Sequence, residues 1–163
     1  MNDPKAMLLE TLLQQLRADL QALVRSQQDT SAAATHAENR AEHAKDTRAT
    51  EQSYLARGLA DRVAALQEAE RRLALFEPET FDAARGITVG ALVEIEDVTT
   101  SERQRWLLVP EAGGREIRHG DESVRTVTPA APLGRAMLGL DVGDEGRFST
   151  PGGPRAFEIC SVS

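Results

Sequence analysis

Aromatic residues are scarce in this chain: one Trp, one Tyr and four Phe make up 4% of 163 residues. A single-strand nucleic-acid binder stacks bases on aromatic rings interleaved with basic residues, and no stretch here offers that pattern. Positive charge is also short. The formal net charge is −7, and a cut after Glu77 leaves 10 basic against 12 acidic residues before it and 9 against 14 after it. Neither half carries the basic surface of a general nucleic-acid binder, so DNA or RNA is expected as an indirect partner at most. Cysteine is reduced to Cys160. That excludes an internal disulfide framework and fits a reducing cytoplasm. Long apolar runs are missing, and the opening MNDPKAMLLETLLQQL brings acids early, so neither a membrane span nor a signal peptide is expected. No nucleophile–base set and no complete metal cluster is visible, which argues against an independent hydrolase.

What is present begins with leucine. Leu9, Leu13, Leu16, Leu20 and Leu23 step by four and three, the spacing of a coiled-coil seam, and Leu55, Leu59, Val63, Leu66 and Leu73 form a looser stripe. Between them Ala32 to Ala49 holds no large apolar residue. The two stripes read as one antiparallel helical hairpin folding back near residue 41, with arms of roughly 35 residues, on the order of 50 Å at ~1.5 Å per residue. Asp3-Pro4 suits a helix start, aspartate capping and proline at the first helical position. The first helix is expected to reach Gln28 or beyond, with a break in Ser26–Thr35 as the weaker alternative, and the second to run from about Ala37 to Phe76. Glu77-Pro78 stops it. Gly58 costs about 1 kcal/mol inside that helix and is read as a close helix–helix contact.

The tip, about residues 36–46, carries Ala34, Ala37, Ala41 and Ala44 at seam spacing, so it should be narrow. Glu38, Glu42 and Asp46 would share one face of a continuous helix, with Arg40, Lys45 and Arg48 close by. A solvated, mixed-charge face is the commoner meaning of such a run. His36 and His43 stand two turns apart, about 11 Å, which is too far for one shared ion.

From Thr88 the period changes to two. Ala91, Val93 and Ile95 alternate with Leu92, Glu94 and Glu96; Arg105–Val109 and Ser123–Val127 read as strands; Arg147–Thr150 and Ala156–Val162 form a hairpin around Pro151-Gly-Gly-Pro154. Pro132–Leu138 is a short helix ended by Gly139. About five strands and one helix make a half-open antiparallel sheet wrapped on that helix. Trp106 and Phe148 are expected in its core, Cys160 as a small core residue of the last strand, and His119 in a loop beside Asp121-Glu122. The domains are therefore a coiled-coil finger over 1–77, a linker over 78–87 and a C-terminal domain over 88–163, an α+β chain.

Thr128 to Val162, TPAAPLGRAMLGLDVGDEGRFSTPGGPRAFEICSV, resembles the signature of the bacterial Gre transcript-cleavage factors. That pattern runs Ser-Pro, an apolar, a small and a basic residue, Ala, two apolar residues and Gly, then Gly-Asp, then Thr-Pro-Gly-Gly before a closing strand. Here it reads Ala131-Pro132-Leu133-Gly134-Arg135-Ala136-Met137-Leu138-Gly139, Gly143-Asp144 and Thr150-Pro151-Gly152-Gly153, with alanine in place of the serine. Glu42-His-Ala and Glu51-Gln52 also fall where the family has similar residues. The resemblance implies a finger followed by an FKBP-like domain. It implies a factor that docks on core RNA polymerase, threads the secondary channel and regulates elongation or initiation; a monomer is expected.

In the family, two acidic tip residues help hold a second Mg²⁺ of the polymerase for cleavage of backtracked RNA. A hard cation takes carboxylate oxygens, which makes the chemistry reasonable. The aligned positions here are Asn39 and Glu42. Glu42 matches, Asn39 is neutral, and Glu38 and Asp46 are the substitutes; Glu42 with Glu38 is the metal pair. With one matching carboxylate, stimulation of cleavage is expected to be weak or absent, and the chain itself is not expected to be an enzyme. Pro132, Leu133, Arg135 and Asp144, with Glu38, Asn39 and Glu42, are the candidate partner-binding residues. The rival reading is a coiled-coil interaction module with an unrelated partner.

Overall fold

The structure, a computed structural model, describes residues 3–40 and 47–163. Its order is α1 (Pro4–Arg40), α2 (Thr47–Ala74), β1 (Leu92–Asp97), β2 (Arg103–Leu108), β3 (Glu116–His119), β4 (Glu122–Val127), α3 (Pro132–Met137), β5 (Glu145–Thr150) and β6 (Gly153–Val162). Two compact units result, one spanning Gln14–Arg71, the other running up to Leu13 and resuming from Arg72 to Ser163. Among the described residues no helix is long and apolar enough to cross a membrane.

The Gln14–Arg71 unit is helical. Asp3 starts α1 as its composition suggests: its Oδ1 accepts the Lys5 backbone N–H at 3.0 Å. The helix then continues unbroken through Ser26–Thr35, and Ala37–Arg40 belong to α1 rather than opening α2. Arg17 on α1 donates to Glu70 on α2 at 2.8 Å, pairing the first part of one helix with the last part of the other. Leu16, Ala34 and Val63 are buried in this unit. The stripe on α2 differs from the leucine count: Leu55 is 62% exposed beside Tyr54 at 68%. Gly58 is no contact point, since a Cβ there would meet nothing within 4 Å.

In the other unit the helical ends bury Leu8, Leu9, Leu12 and Leu73. Leu8 and Leu12 were not part of the four-and-three count; Leu13, which was, is only half-buried. Lys5 is buried with its stem, and its ammonium donates to the Glu79 carbonyl at 3.0 Å. Arg72 pairs with Glu111 at 3.0 Å.

The sheet has the order β3-β4-β2-β1-β6-β5. Six strands replace the expected five, and the sheet is mixed, because β2 and β4 run parallel while the other pairs are antiparallel. The added strand is β3, Glu116-Ile-Arg-His119, whose polar residues hide its alternation. β3 hairpins with β4, and β4 inserts between β3 and β2, which makes β2–β4 parallel. Thr126, fully buried, fixes the preceding loop: its hydroxyl donates to the Ala112 carbonyl at 2.7 Å and accepts from Arg115 N–H at 3.0 Å.

The core sits on the face covered by α3: Val93 and Ile95 of β1, Leu108, Val127, Phe157 and Ile159 pack with Leu133 and Met137. Gly134 permits that approach, since a Cβ would lie 2.0 Å from the Thr128 carbonyl oxygen. Gly139, at φ +78°, ends the helix and donates its N–H to Ile87 O at 2.9 Å. With Phe157 and Ile159 facing in, the period of two turns Cys160 outward, so it is half-buried on the opposite face and not in the core.

Candidate functional site

A helix of six residues is about 9 Å long, whereas six strands spaced ~4.8 Å apart span more than 20 Å. α3 therefore covers part of the inner face and leaves the remainder as a cleft of about 670 Å³, well within the size of a ligand site. Its apolar lining comes from Ile95, Trp106, Val127, Leu133, Phe148 and Phe157. Trp106 and Phe148 pack against the edge of the core and are half-buried, so they wall the cleft where the aromatic count had put them inside. Phe148 and Phe157 meet with ring centroids 5.9 Å apart and planes tilted by 58°.

Polar groups frame this surface. Arg155 donates to Asp97 at 2.8 Å. The backbone N–H of Thr100, then of Thr99, together with the Arg155 guanidinium, hold the Asp97 carboxyl below its ordinary value against an opposing desolvation effect. The Arg125 guanidinium lies 5.9 Å from the centroid of the Trp106 ring, a cation–π distance. The register explains the meeting: Val93, Trp106 and Arg125 are cross-strand partners on β1, β2 and β4. Trp106 Nε1 is sealed from solvent with no hydrogen-bond partner among the described residues.

Of the residues singled out by sequence, Pro132 and Leu133 line the cleft. Arg135 and Asp144 do not; each serves the local fold. Arg135 Nη2 donates to Ala130 O at 2.9 Å. Asp144 Oδ2 accepts the Asp141 N–H at 2.8 Å, and its carbonyl accepts the Ile159 N–H. The Ala131 position is the N-cap of α3, in extended geometry and without a side-chain cap. Glu38 and Asn39 lie on the last turn of α1, with side chains outside the described set, and Glu42, His43 and Asp46 lie outside the described residues altogether. Among the described residues no group of three or more His, Cys, Asp or Glu could hold a metal. The opposite sheet face is charged, with Arg103 on Glu94 and Glu96 and Arg105 paired with Glu122. Burial there pushes the Cys160 thiol up. Trp106 and Arg125 are the cleft residues that sequence reasoning did not join; only the parallel β2–β4 register brings them together.

Residues 83–163 match the family described as "Transcription elongation factor, GreA/GreB, C-term". GreA of Polaromonas naphthalenivorans is 30% identical over 100 residues, 60% of each chain. GreA of Cereibacter sphaeroides strain ATCC 17025 is 37% identical over 100 residues, covering 60% of this chain and 59% of that one. The chain thus spans about three-fifths of the length of the curated relatives it matches. A crystal structure of the GreA factor homolog 1 (Gfh1) protein of Thermus thermophilus aligns over 93% of this chain and 94% of its own at 20% identity and TM-score 0.38. The C-terminal domain of the chain is thus of the GreA/GreB type, and the chain is similar to a divergent, Gre-like factor.

Proposed function

We propose that this chain is an RNA polymerase-binding transcription factor of the Gre type, and that the cleft of its C-terminal domain is the docking surface. The observation that carries this is local. The ordered motif shared with the GreA/GreB C-terminal family places Pro132 and Leu133 in the wall of an aromatic-lined cleft. The relatives carrying that domain are named transcription elongation factors. In this reading the partner is core RNA polymerase, DNA and RNA are met only through it, and the site of action is the cytoplasm. The factor acts as a monomer with the helical pair entering the secondary channel. The net charge of −7 agrees with a factor that does not hold nucleic acid by itself.

The chain is not itself the catalyst; at most it stimulates the polymerase's own cleavage of RNA, with Mg²⁺ shared with that active centre. Glu42 and Glu38 are the carboxylates available to such an ion, and Asn39 supplies a neutral amide where the family has a charge. Regulation by occupancy of the channel follows, with weak or absent cleavage. Purified protein should bind core RNA polymerase and compete with a Gre factor for it. Absence of binding at micromolar concentration and low salt would overturn this function.

A further inference from the structure

We propose that one flank of α2, from Glu51 to Ala65, is a self-complementary surface on which the free chain forms a weak antiparallel dimer with a second copy of itself. The proposal is independent of the docking reading; the monomer named there is the form released on dilution. α2 already has an inward seam: Val63 is buried, and Glu70, seven residues on, takes Arg17 of α1. One residue back, about 100° around the helix, runs a second row. Glu51, Leu55, Gly58, Arg62 and Ala65 step by four, three, four and three, and all are exposed.

The chain's own fold does not account for this row. Leu55 is 62% exposed, with Tyr54 beside it at 68%. Gly58 weakens a helix interior, yet a Cβ there would meet nothing within 4 Å, so nothing inside the chain asks for glycine. Among the described residues neither Glu51 nor Arg62 has an ion-pair partner. A two-fold axis crossing α2 between Ala56 and Arg57 answers all of these together. It sets Leu55 against the Gly58 gap of the second copy and Glu51 against the Arg62 of that copy, and each contact occurs twice. Other arrangements are disfavoured by charge. A parallel pairing in register stacks Glu51 on Glu51 and Arg62 on Arg62, and an antiparallel axis moved onto Ala56 brings Glu51 against Asp61. The overlap from 51 to 65 is about 22 Å at ~1.5 Å per residue, too short to bury the ~1,200 Å² of a stable interface, so a dissociation constant on the order of 100 μM is expected.

Sedimentation of the full chain at low salt, from about 5 to about 500 μM, tests this without any partner. The weight-average mass should rise from one chain toward two and level there. Glu51→Arg alone and Arg62→Glu alone each place like charges across the axis and should weaken association about tenfold or more. The double variant Glu51→Arg with Arg62→Glu restores both pairs and should associate like the parent. Gly58→Gln should raise the thermal midpoint of the dilute monomer, because glycine is the poorer helix former, while weakening the dimer by filling the gap that receives Leu55. A chain that stays monomeric to about 500 μM overturns the proposal and leaves the flank to a different protein. Growth beyond two chains, single charge variants that associate like the parent, a double variant that does not recover, or a Gly58→Gln that dimerises unchanged would each overturn it as well.

Discussion

Asp97 shows how one side chain can organise the mouth of a site. It ends β1, accepts two N–H groups of the following turn, and holds Arg155 across the β1–β6 pairing. Its folded value lies below the ordinary 3.8, so the ionised form is the one the fold favours. The stability it contributes is fully present above the unfolded value and disappears as pH falls through the lower folded value. Urea unfolding followed from pH 5 downward should show the midpoint declining below about pH 4, and Asp97→Asn should flatten that decline. An identical acid limb in the variant would remove Asp97 from the account. At this scale the sequence was least legible. Counting leucines placed Leu13 in the seam and omitted Leu12, because a run of Leu-Leu pairs fits two helical faces and only packing chooses between them. The meeting of Trp106 with Arg125 was hidden for a related reason: the two come together through a parallel pairing that local pattern does not reveal.

Elements were legible wherever period and punctuation agreed. Asp3-Pro4 opened α1, Gly139 closed α3, and Pro151-Gly152-Gly153 turned β5 into β6, Thr150 closing that turn by donating to Gly153 O at 2.7 Å. β3 escaped because a four-residue edge strand of Glu, Ile, Arg and His has one apolar side chain to count, Ile117, although that residue is fully buried. The start of α3 departs from the family pattern in an instructive way. Ala131 occupies the N-cap in extended geometry but has no side-chain oxygen to accept a first-turn N–H. Ala131→Ser should therefore raise stability by about 1 kcal/mol, read as a higher denaturant midpoint at unchanged slope. Loss of stability would mean that the hydroxyl is desolvated against the core that Ala131 borders.

For the molecule as a whole, the two-part reading, helical hairpin then sheet with one helix, was accessible because the hydrophobic period switches from about 3.6 to 2 near Thr88. Function was legible only through the ordered C-terminal motif. The proposed mode of action makes a prediction at this scale: in a stalled polymerase complex the unmodified chain should shorten the RNA little or not at all, and Asn39→Asp should increase that activity. Robust cleavage by the parent, lost on Glu42→Ala, would instead make it an ordinary cleavage factor. The Lys5–Glu79 hydrogen bond, joining residues 74 positions apart, carries a consequence for synthesis. During translation α1 leaves the ribosome before α2, and the carbonyl that receives its Lys5 and the carboxylate of Glu70 that receives its Arg17 are made some fifty to seventy residues later. At about 5–20 residues per second, that leaves the nascent helix for several seconds with its apolar side unsatisfied. Leu8, Leu9, Leu12 and Leu16 are then open to chaperones or to neighbouring chains on the same messenger, so the speed of elongation across residues 20–80 becomes a determinant of yield.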